Sequence, residues 1–313
     1  MNPKIKVIGV GGSGSNTVSR MAHLRGRANA NMQEVELLAL NTDAQALHFS
    51  KADKKILLGK NITKGLGTGM DADLGRKAAE ESEQEILENL KGADMVFVTC
   101  GLGGGTGSGA SPIVADISKK NLGILTIAVI TIPFSFEGME RKKVAESALR
   151  NLKEKVDSLL IISNDKLLKV IDEKTTVSNA FLICDDILRE AVQSITDLIL
   201  VPGIINIDFA SVLSIMKDSG RTLFGVGKAS GENRAVLASQ KAINSPLLDF
   251  SIQGAKGVLF SASGNDITLI EIQEAAKIIT KSVDSKAQII FGAVKDNNLK
   301  KGEIKITVIA TKL

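Results

Sequence analysis

Met95-Val96-Phe97-Val98-Thr99-Cys100 runs directly into Gly101-Leu102-Gly103-Gly104-Gly105-Thr106-Gly107-Ser108-Gly109. The first six residues read as a buried strand. Glycine loses more backbone entropy on folding than any other residue, so a run this dense makes sense where backbone must approach something closely. An anionic ligand at the strand's carboxyl end fits that need. The run is no Walker P-loop, because no Gly-Lys-Ser/Thr follows and Lys119 and Lys120 lie a helix away. Phosphate charge would therefore have to be met by amides, hydroxyls and a metal. The plainer alternative is glycine used for packing alone.

A second glycine loop lies upstream. Lys4-Ile5-Lys6-Val7-Ile8 is strand-like, Gly9-Val10-Gly11-Gly12-Ser13-Gly14 matches GxGxxG, and Asn16 to Arg25 has helical composition. Free N–H groups and the helix dipole favour phosphate at such a junction, although a tight turn alone also accounts for the glycines. A nicotinamide-binding fold would want an acidic residue about 20 positions on. Asp43 stands near that place but late. Two such loops at neighbouring strand ends suit a dinucleotide or a nucleoside triphosphate.

Strand-like runs at Val35 to Leu40, Ile56 to Leu58, Ile124 to Ile132 and Leu159 to Ile162 alternate with helical patterns at Asp73 to Leu90 and Lys142 to Val156. This alternation predicts an α/β fold, a Rossmann-like doubly wound parallel sheet. From Val177 the residues Phe181, Cys184, Leu188, Ala191, Ile195 and Leu198 form the apolar seam of a long helix that stops at Pro202-Gly203. Beyond it the pattern is a smaller α+β unit, with helices over 209–217, 232–241 and 271–282 and strands near 222–227, 256–261, 287–292 and 304–310. The predicted domains are 1–175, a connecting helix over 176–202, and 203–313.

With 313 residues, 44% hydrophobic and 24% charged, the composition is that of an ordinary globular chain. Lys+Arg 39 against Asp+Glu 35 leaves +4, and with no Trp and no Tyr the usual stacking platforms are missing, which argues against nucleic acid. The apolar run Leu122 to Phe134 falls short of a bilayer span, and no signal peptide precedes the first strand, so no membrane insertion is expected. Cys100 and Cys184 sit in apolar stretches, which suits a reducing compartment and a cytoplasmic location. His23 and His48 are the only histidines, so no familiar His/Cys zinc centre can form and a metal would arrive with the ligand.

The run GGGTG[ST]G after a strand resembles the signature loop of the tubulin/FtsZ family of GTPases. The match extends through Gly9 to Asn16, Asn41-Thr42-Asp43, Gly65-Leu66-Gly67-Thr68-Gly69, Pro133-Phe134-Ser135-Phe136-Glu137-Gly138, Asn164-Asp165, Asn206-Ile207-Asp208-Phe209-Ala210, Gly231-Glu232-Asn233-Arg234-Ala235 and Ser245-Pro246-Leu247-Leu248, in the order of the bacterial cell-division members. The resemblance implies a tubulin/FtsZ-like fold with a GTP-binding domain, a central helix and a C-terminal activation domain. It implies that Gly11, Gly12, Ser13, Gly14, Ser15 and Asn16, with Gly104, Gly105, Thr106, Gly107 and Ser108, cradle the phosphates of GTP or GDP. Thr68 and Gly69 would reach the γ-phosphate, Glu137 the ribose, and Arg141 would face the phosphates. Mg²⁺ would ride on the phosphates.

Phe181 and Asp185 are four apart on one helix and share a face, so a ring can cover a base while a carboxylate reaches its edge. A carboxylate accepts from guanine N1–H and the exocyclic amine, whereas adenine would leave it unpaired. Asn16 and Asn164 could supply amides. The alternatives are that Phe181 is core and that Glu137 and Arg141 are a solvated surface pair.

The resemblance also implies head-to-tail protofilaments in which the loop opening the C-terminal domain enters the next subunit's nucleotide pocket and positions water. Here that loop carries Asn206 and Asp208, with Ser211 where the family's NxDxxD has a second aspartate. A hydroxyl lacks the carboxylate's charge and its capacity to take a proton, and loss of a general base is worth about 10²–10⁴ in rate. One expectation is an assembly-dependent GTPase of cell division acting at the division site; the other is a filament protein with weak or absent hydrolysis. A third reading, a nicotinamide-dependent oxidoreductase, leaves the second loop and the Phe181/Asp185 pair without a use. Ile132 stands where many bacterial members have Arg, Ser108 stands where they have Thr, and the peptide through which the family reaches division adaptors is not found in this sequence.

Overall fold

A computed structural model of the chain describes residues 2–25, 34–168, 171–172, 174–245 and 251–312. Pro246, Leu247 and Leu248 lie outside the described residues. The chain divides into two compact units, Met1–Gln193 and Ser194–Leu313.

The first unit alternates β1 (Ile5–Val10), α1 (Gly11–Leu24), β2 (Val35–Asn41), α2 (Ala44–Phe49), β3 (Lys54–Leu57), α3 (Ala72–Glu81), α4 (Glu83–Leu90), β4 (Met95–Gly101), α5 (Gly105–Asp116), β5 (Leu125–Ile132), α6 (Met139–Lys153), β6 (Ser158–Ser163) and the short α7 (Asn164–Leu167). Its strands lie in the order β3-β2-β1-β4-β5-β6, and all pair in parallel. β1 is buried at every position and β5 at all but the last, as β-branched strands covered on both faces must be. The order reverses direction between β1 and β4. Crevices for ligands open at the carboxyl ends of strands at such a switch point.

Three local readings are corrected. The pattern over Asp73 to Leu90 is two helices that meet at Ser82, whose hydroxyl accepts the Gly59 N–H at 3.0 Å. The loop predicted over 101–109 is helical from Gly105 onward, and α1 likewise begins at Gly11. α2 was not anticipated; Asp43 starts it by accepting the N–H groups of Gln45 and Ala46 at 2.8 and 3.0 Å.

The helix α8 (Val177–Leu200) carries the predicted seam, with Cys184, Leu188, Ala191, Ile195 and Leu198 buried, and the boundary between the units falls inside it. Phe181 departs from the seam at 40% exposure. The second unit contains α9 (Phe209–Met216), β7 (Gly220–Ser230), α10 (Arg234–Ile243), β8 (Gly257–Gly264), α11 (Leu269–Lys281), β9 (Gln288–Lys295) and β10 (Glu303–Thr311). Its strand order is β7-β10-β8-β9, with β10 antiparallel to both neighbours and β8 parallel to β9. No helix among the described residues is long and apolar enough to cross a membrane.

Candidate functional site

α1 and α5 begin at the carboxyl ends of β1 and β4, and neither start has a side-chain cap. Asp43, Asp71, Asp208 and Thr268 cap α2, α3, α9 and α11, while α4, α6, α7 and α10 also start without a side-chain cap, so what sets α1 and α5 apart is that their first turns line one cavity. Two uncapped N-termini leave backbone donors and positive dipole ends free for an anion. Between them lies a cavity of about 630 Å³, lined by Gly12, Ser13, Gly104, Gly105, Thr106 and Gly107. That volume is ordinary for a small-molecule site.

The glycine run divides into two jobs. A Cβ built on Gly12 or Gly104 meets nothing within 4 Å, so these two open onto the cavity. A Cβ on Gly109 would lie 2.0 Å from the Ala72 carbonyl oxygen, and on Gly14 2.4 Å from that of Thr99. Those two let α5 and α1 press against α3 and β4. Both readings of the glycines therefore hold at different positions: some open onto the cavity and others serve helix packing.

Three hydroxyls meet at the phosphate-suited end. Thr106 Oγ1 lies 2.6 Å from Thr42 Oγ1 and 3.4 Å from Thr68 Oγ1, and all three residues are buried. They join β2, α5 and the loop over 65–71, where Gly65, Gly67, Gly69 and Met70 all have positive φ. Thr42 and Asn41 line the cavity and were missed as site residues; the signal was their place at the carboxyl end of the strand beside β1.

The opposite end suits a base. Phe181 lines it, its ring held edge-on against Phe134 at 5.5 Å, and Phe134 stacks on Phe136 at 4.8 Å. Beside it the Asp185 carboxylate accepts the Ser13 hydroxyl at 3.3 Å and lies 3.7 Å from Arg20 Nε. Burial pushes the Asp185 carboxyl up to about 6, with Arg20 and Ser13 opposing. Burial also pushes the Cys184 thiol up to about 12, which keeps it protonated and unreactive. Asn164 is buried, faces the cavity, and its Oδ1 has no partner. An orphaned buried acceptor in a cavity wall is the mark of a missing donor. Asn16 lines the cavity too.

On the rim, Glu137 and Arg141 form an ion pair at 2.7 Å, and Glu137 also accepts the Phe134 N–H at 2.9 Å. The Glu137 side chain is 10% exposed and that of Arg141 41%, so the carboxylate is shielded while the guanidinium meets solvent. Five predicted residues do not line the cavity. Gly11, Gly14 and Gly69 shape the backbone behind it, the Ser108 hydroxyl accepts the Gly103 N–H at 2.9 Å, and the buried Ser15 Oγ has no partner.

Asn206, Asp208 and Ser211 belong to the second unit and line none of this cavity, whose walls come from the first. Ala293 pins their loop by accepting the N–H groups of Ile204 and Ile205, and Asn206 Oδ1 accepts the Gly203 N–H at 2.6 Å. Asp208 Oδ1 accepts the Ser211 N–H at 2.7 Å. The Ser211 hydroxyl and N–H hold the exposed Asp208 carboxyl below the usual carboxylate range. Among the described residues no three His, Cys, Asp or Glu side chains converge as a metal-ligand set.

Residues 4–172 match the Tubulin/FtsZ family, GTPase domain, and residues 220–313 the FtsZ family, C-terminal domain. The structure is similar to an empty FtsZ dimer from M. jannaschii, at TM-score 0.92 and 42% identity over 99% of this chain and 88% of that one. It also shares its fold with CetZ2 from Haloferax volcanii, solved as a GTPgS-bound protofilament, at TM-score 0.85 and 20% identity over 98% and 92% of the two chains. A GDP-bound monomer of CetZ1 from the same organism matches at TM-score 0.86 and 21% identity over 99% and 94%.

Proposed function

Because this chain belongs to the tubulin/FtsZ family, we propose that it binds GTP in the cavity of its first unit, stacks head to tail into protofilaments, and hydrolyses GTP where two subunits meet. The observation that carries the reading is the pairing of two uncapped helix N-termini at one end of the cavity with the Phe181 ring, the Asp185 carboxylate and the orphaned Asn164 Oδ1 at the other. The first end suits phosphates and the second a guanine edge. Phe181 covers the base, Asp185 accepts from N1–H and the exocyclic amine, Glu137 takes a ribose hydroxyl, and the Thr68 and Thr106 hydroxyls donate to phosphate oxygens. Mg²⁺ held on the phosphates would neutralise their charge.

Exposed apolar side chains are available to a second copy. Leu66 at 85% exposure, Phe136 at 65% and Met139 at 66% stand on the first unit, and Ile204 at 68% and Leu269 at 78% on the second. A second copy would cover side chains that water otherwise contacts. The Asn206–Asp208 loop of the neighbouring subunit would then orient the water that attacks the γ-phosphorus. The bond to the β,γ-bridging oxygen breaks, and GDP and phosphate leave. A role in cell division, with adaptors and a place at the division site, follows as the family's use of such a filament.

A second reading is favoured by one observation. Asp208 is engaged as the α9 cap and its carboxyl is held low by Ser211, so it is a poor proton acceptor, and Ser211 supplies none. On that reading filaments form but turn over slowly. Phosphate release and polymer sedimentation, followed in one GTP-containing sample for the parent and Ser211→Asp, decide between them. Polymer with little phosphate, and a gain of about 10²–10⁴ in turnover on Ser211→Asp, supports slow turnover. Brisk turnover in the parent removes the second reading, and failure of the parent to bind GTP removes both.

A further inference from the structure

We propose that Arg20 is the positioning residue for base selection: from α1 it holds the Asp185 carboxylate in the orientation in which it meets the base. The proposal rests on the reading of the cavity as a guanine-nucleotide site. Asp185 sits on α8, and residues 169–170 and 173, in the chain leading into that helix, lie outside the described residues. One hydrogen bond and one ion pair from α1 hold its side chain. Ser13 and Arg20 are seven apart on that helix and share a face. Ser13 donates to Asp185 Oδ1 at 3.3 Å, and Arg20 Nε lies 3.7 Å from Oδ2.

The rest of the Arg20 guanidinium is tied down on the same helix. Its Nη1 donates to the Leu182 carbonyl at 3.3 Å and to Asp186 Oδ1 at 3.2 Å. Asp186 in turn lies 3.6 Å from Arg189 Nε. The guanidinium thus hydrogen-bonds two acceptors on α8 through Nη1 while its Nε stands at ion-pair distance from a third, the Asp185 carboxylate, an arrangement a point-charge ammonium reproduces only in part. The Arg20 side chain is 25% exposed and does not line the cavity, so it acts through Asp185 rather than on the ligand.

Charge and geometry act together. The groups acting on the Asp185 carboxylate are Arg20 and the Ser13 hydroxyl from α1, which favour its ionised form, and Asp186 on its own helix, which opposes it. Without Arg20, a carboxyl already pushed upward by burial would take a proton more readily and present an O–H donor to guanine N1–H, which is itself a donor.

The test uses the full chain, with GDP and inosine diphosphate as probes, since the second lacks only the exocyclic amine. Affinities are measured between pH 5 and 8 for the parent, Arg20→Met and Arg20→Lys, with thermal melts run alongside. The parent should prefer GDP by about tenfold or more, the worth of one hydrogen bond to a charged group. In Arg20→Met that preference should shrink toward unity, and the pH below which GDP binding fails should move upward. Arg20→Lys keeps the charge without the fork, so it should hold the parent's pH profile and recover only part of the preference. Arg20→Met with the parent's preference and pH profile overturns the proposal and leaves the guanine reading standing. A parent that does not prefer GDP overturns both. Should Arg20→Met fail to fold, full parental preference in Arg20→Lys overturns the proposal.

Discussion

Replacing Asp185 by asparagine should stabilise the empty protein while weakening its hold on guanine nucleotides. The carboxyl is pushed up to about 6 from an ordinary 3.8. At 1.36 kcal/mol per pH unit, that displacement corresponds to about 3 kcal/mol of destabilisation when the group is held ionised in the fold. The sign follows from proton counts. Between pH 3.8 and 6 the folded chain binds more protons at this site than the unfolded chain, so stability falls as pH rises through that window and the loss is complete above it. Asp185→Asn removes the ionisation, and because the displacement already contains the opposing pull of Arg20 and Ser13, the gain at pH 7 is up to about 3 kcal/mol.

For a unit the size of Met1–Gln193, about 2–4 °C accompanies each kcal/mol, so the nucleotide-free midpoint should rise by several degrees at pH 7 and the gain should vanish near pH 4. With no Trp and no Tyr, the melts are read by circular dichroism or a bound dye. GDP affinity should fall by about 30- to 1,000-fold as the charge-assisted bonds are lost. An Asp185→Asn protein less stable than the parent at pH 7, with a deficit that persists on acidification, would refute the account of Asp185 as a buried carboxylate waiting for a ligand.

The division of labour among the glycines makes a paired prediction. Gly109→Ala sets a methyl 2.0 Å from the Ala72 carbonyl oxygen and should cost more than about 3 kcal/mol by forcing α5 off α3, seen as a lower melting temperature. Gly12→Ala meets nothing within 4 Å and should melt like the parent while losing GDP binding, which titration would show. If hydrolysis needs a neighbouring subunit, GTP turnover per chain should rise with protein concentration, and a rate per chain independent of concentration would locate the whole site in one subunit.

The sheet was legible because its strands are apolar at nearly every position and alternate with amphipathic helices, a pattern that leaves a parallel, doubly covered sheet as the economical packing. The breaks were not. α3 ends at Ser82, whose hydroxyl accepts the N–H of Gly59, 23 residues away, and no local pattern encodes that partner. Asp43 looked like a late ribose ligand because an acidic residue after a second strand is ambiguous; in the fold its Oδ1 takes two backbone N–H groups of α2. Phe181 fell on the apolar seam by spacing, and only the fold shows that the seam ends at Cys184 and leaves the ring at the cavity, propped by Phe134. The glycines misled for a related reason. Leaving room for a phosphate and leaving room for a neighbouring helix both call for the absence of a Cβ, so composition alone cannot separate Gly104 from Gly109.

The carboxylates of the cavity bear on why a second subunit would be needed. Three acidic side chains line it, Asp43, Glu137 and Asp185. Asp43 caps α2, Glu137 is shared between Arg141 and the Phe134 N–H, and Asp185 is held by Ser13 and Arg20 at the end suited to the base. Each is committed to a donor within its own chain. The hydroxyls of Thr42, Thr68 and Thr106 at the other end are ordinary alcohols, able to donate to phosphate but not to take a proton from water near neutral pH. A water near the γ-phosphate of bound GTP therefore has no uncommitted base among the described walls of the cavity. On the proposed reading any further acidic group comes from a neighbouring chain, and the exposed Asp208, itself engaged by Ser211 and held low, suits orienting a water better than taking its proton. On that reading one chain would bind GTP without hydrolysing it, and assembly would supply the groups that orient the water.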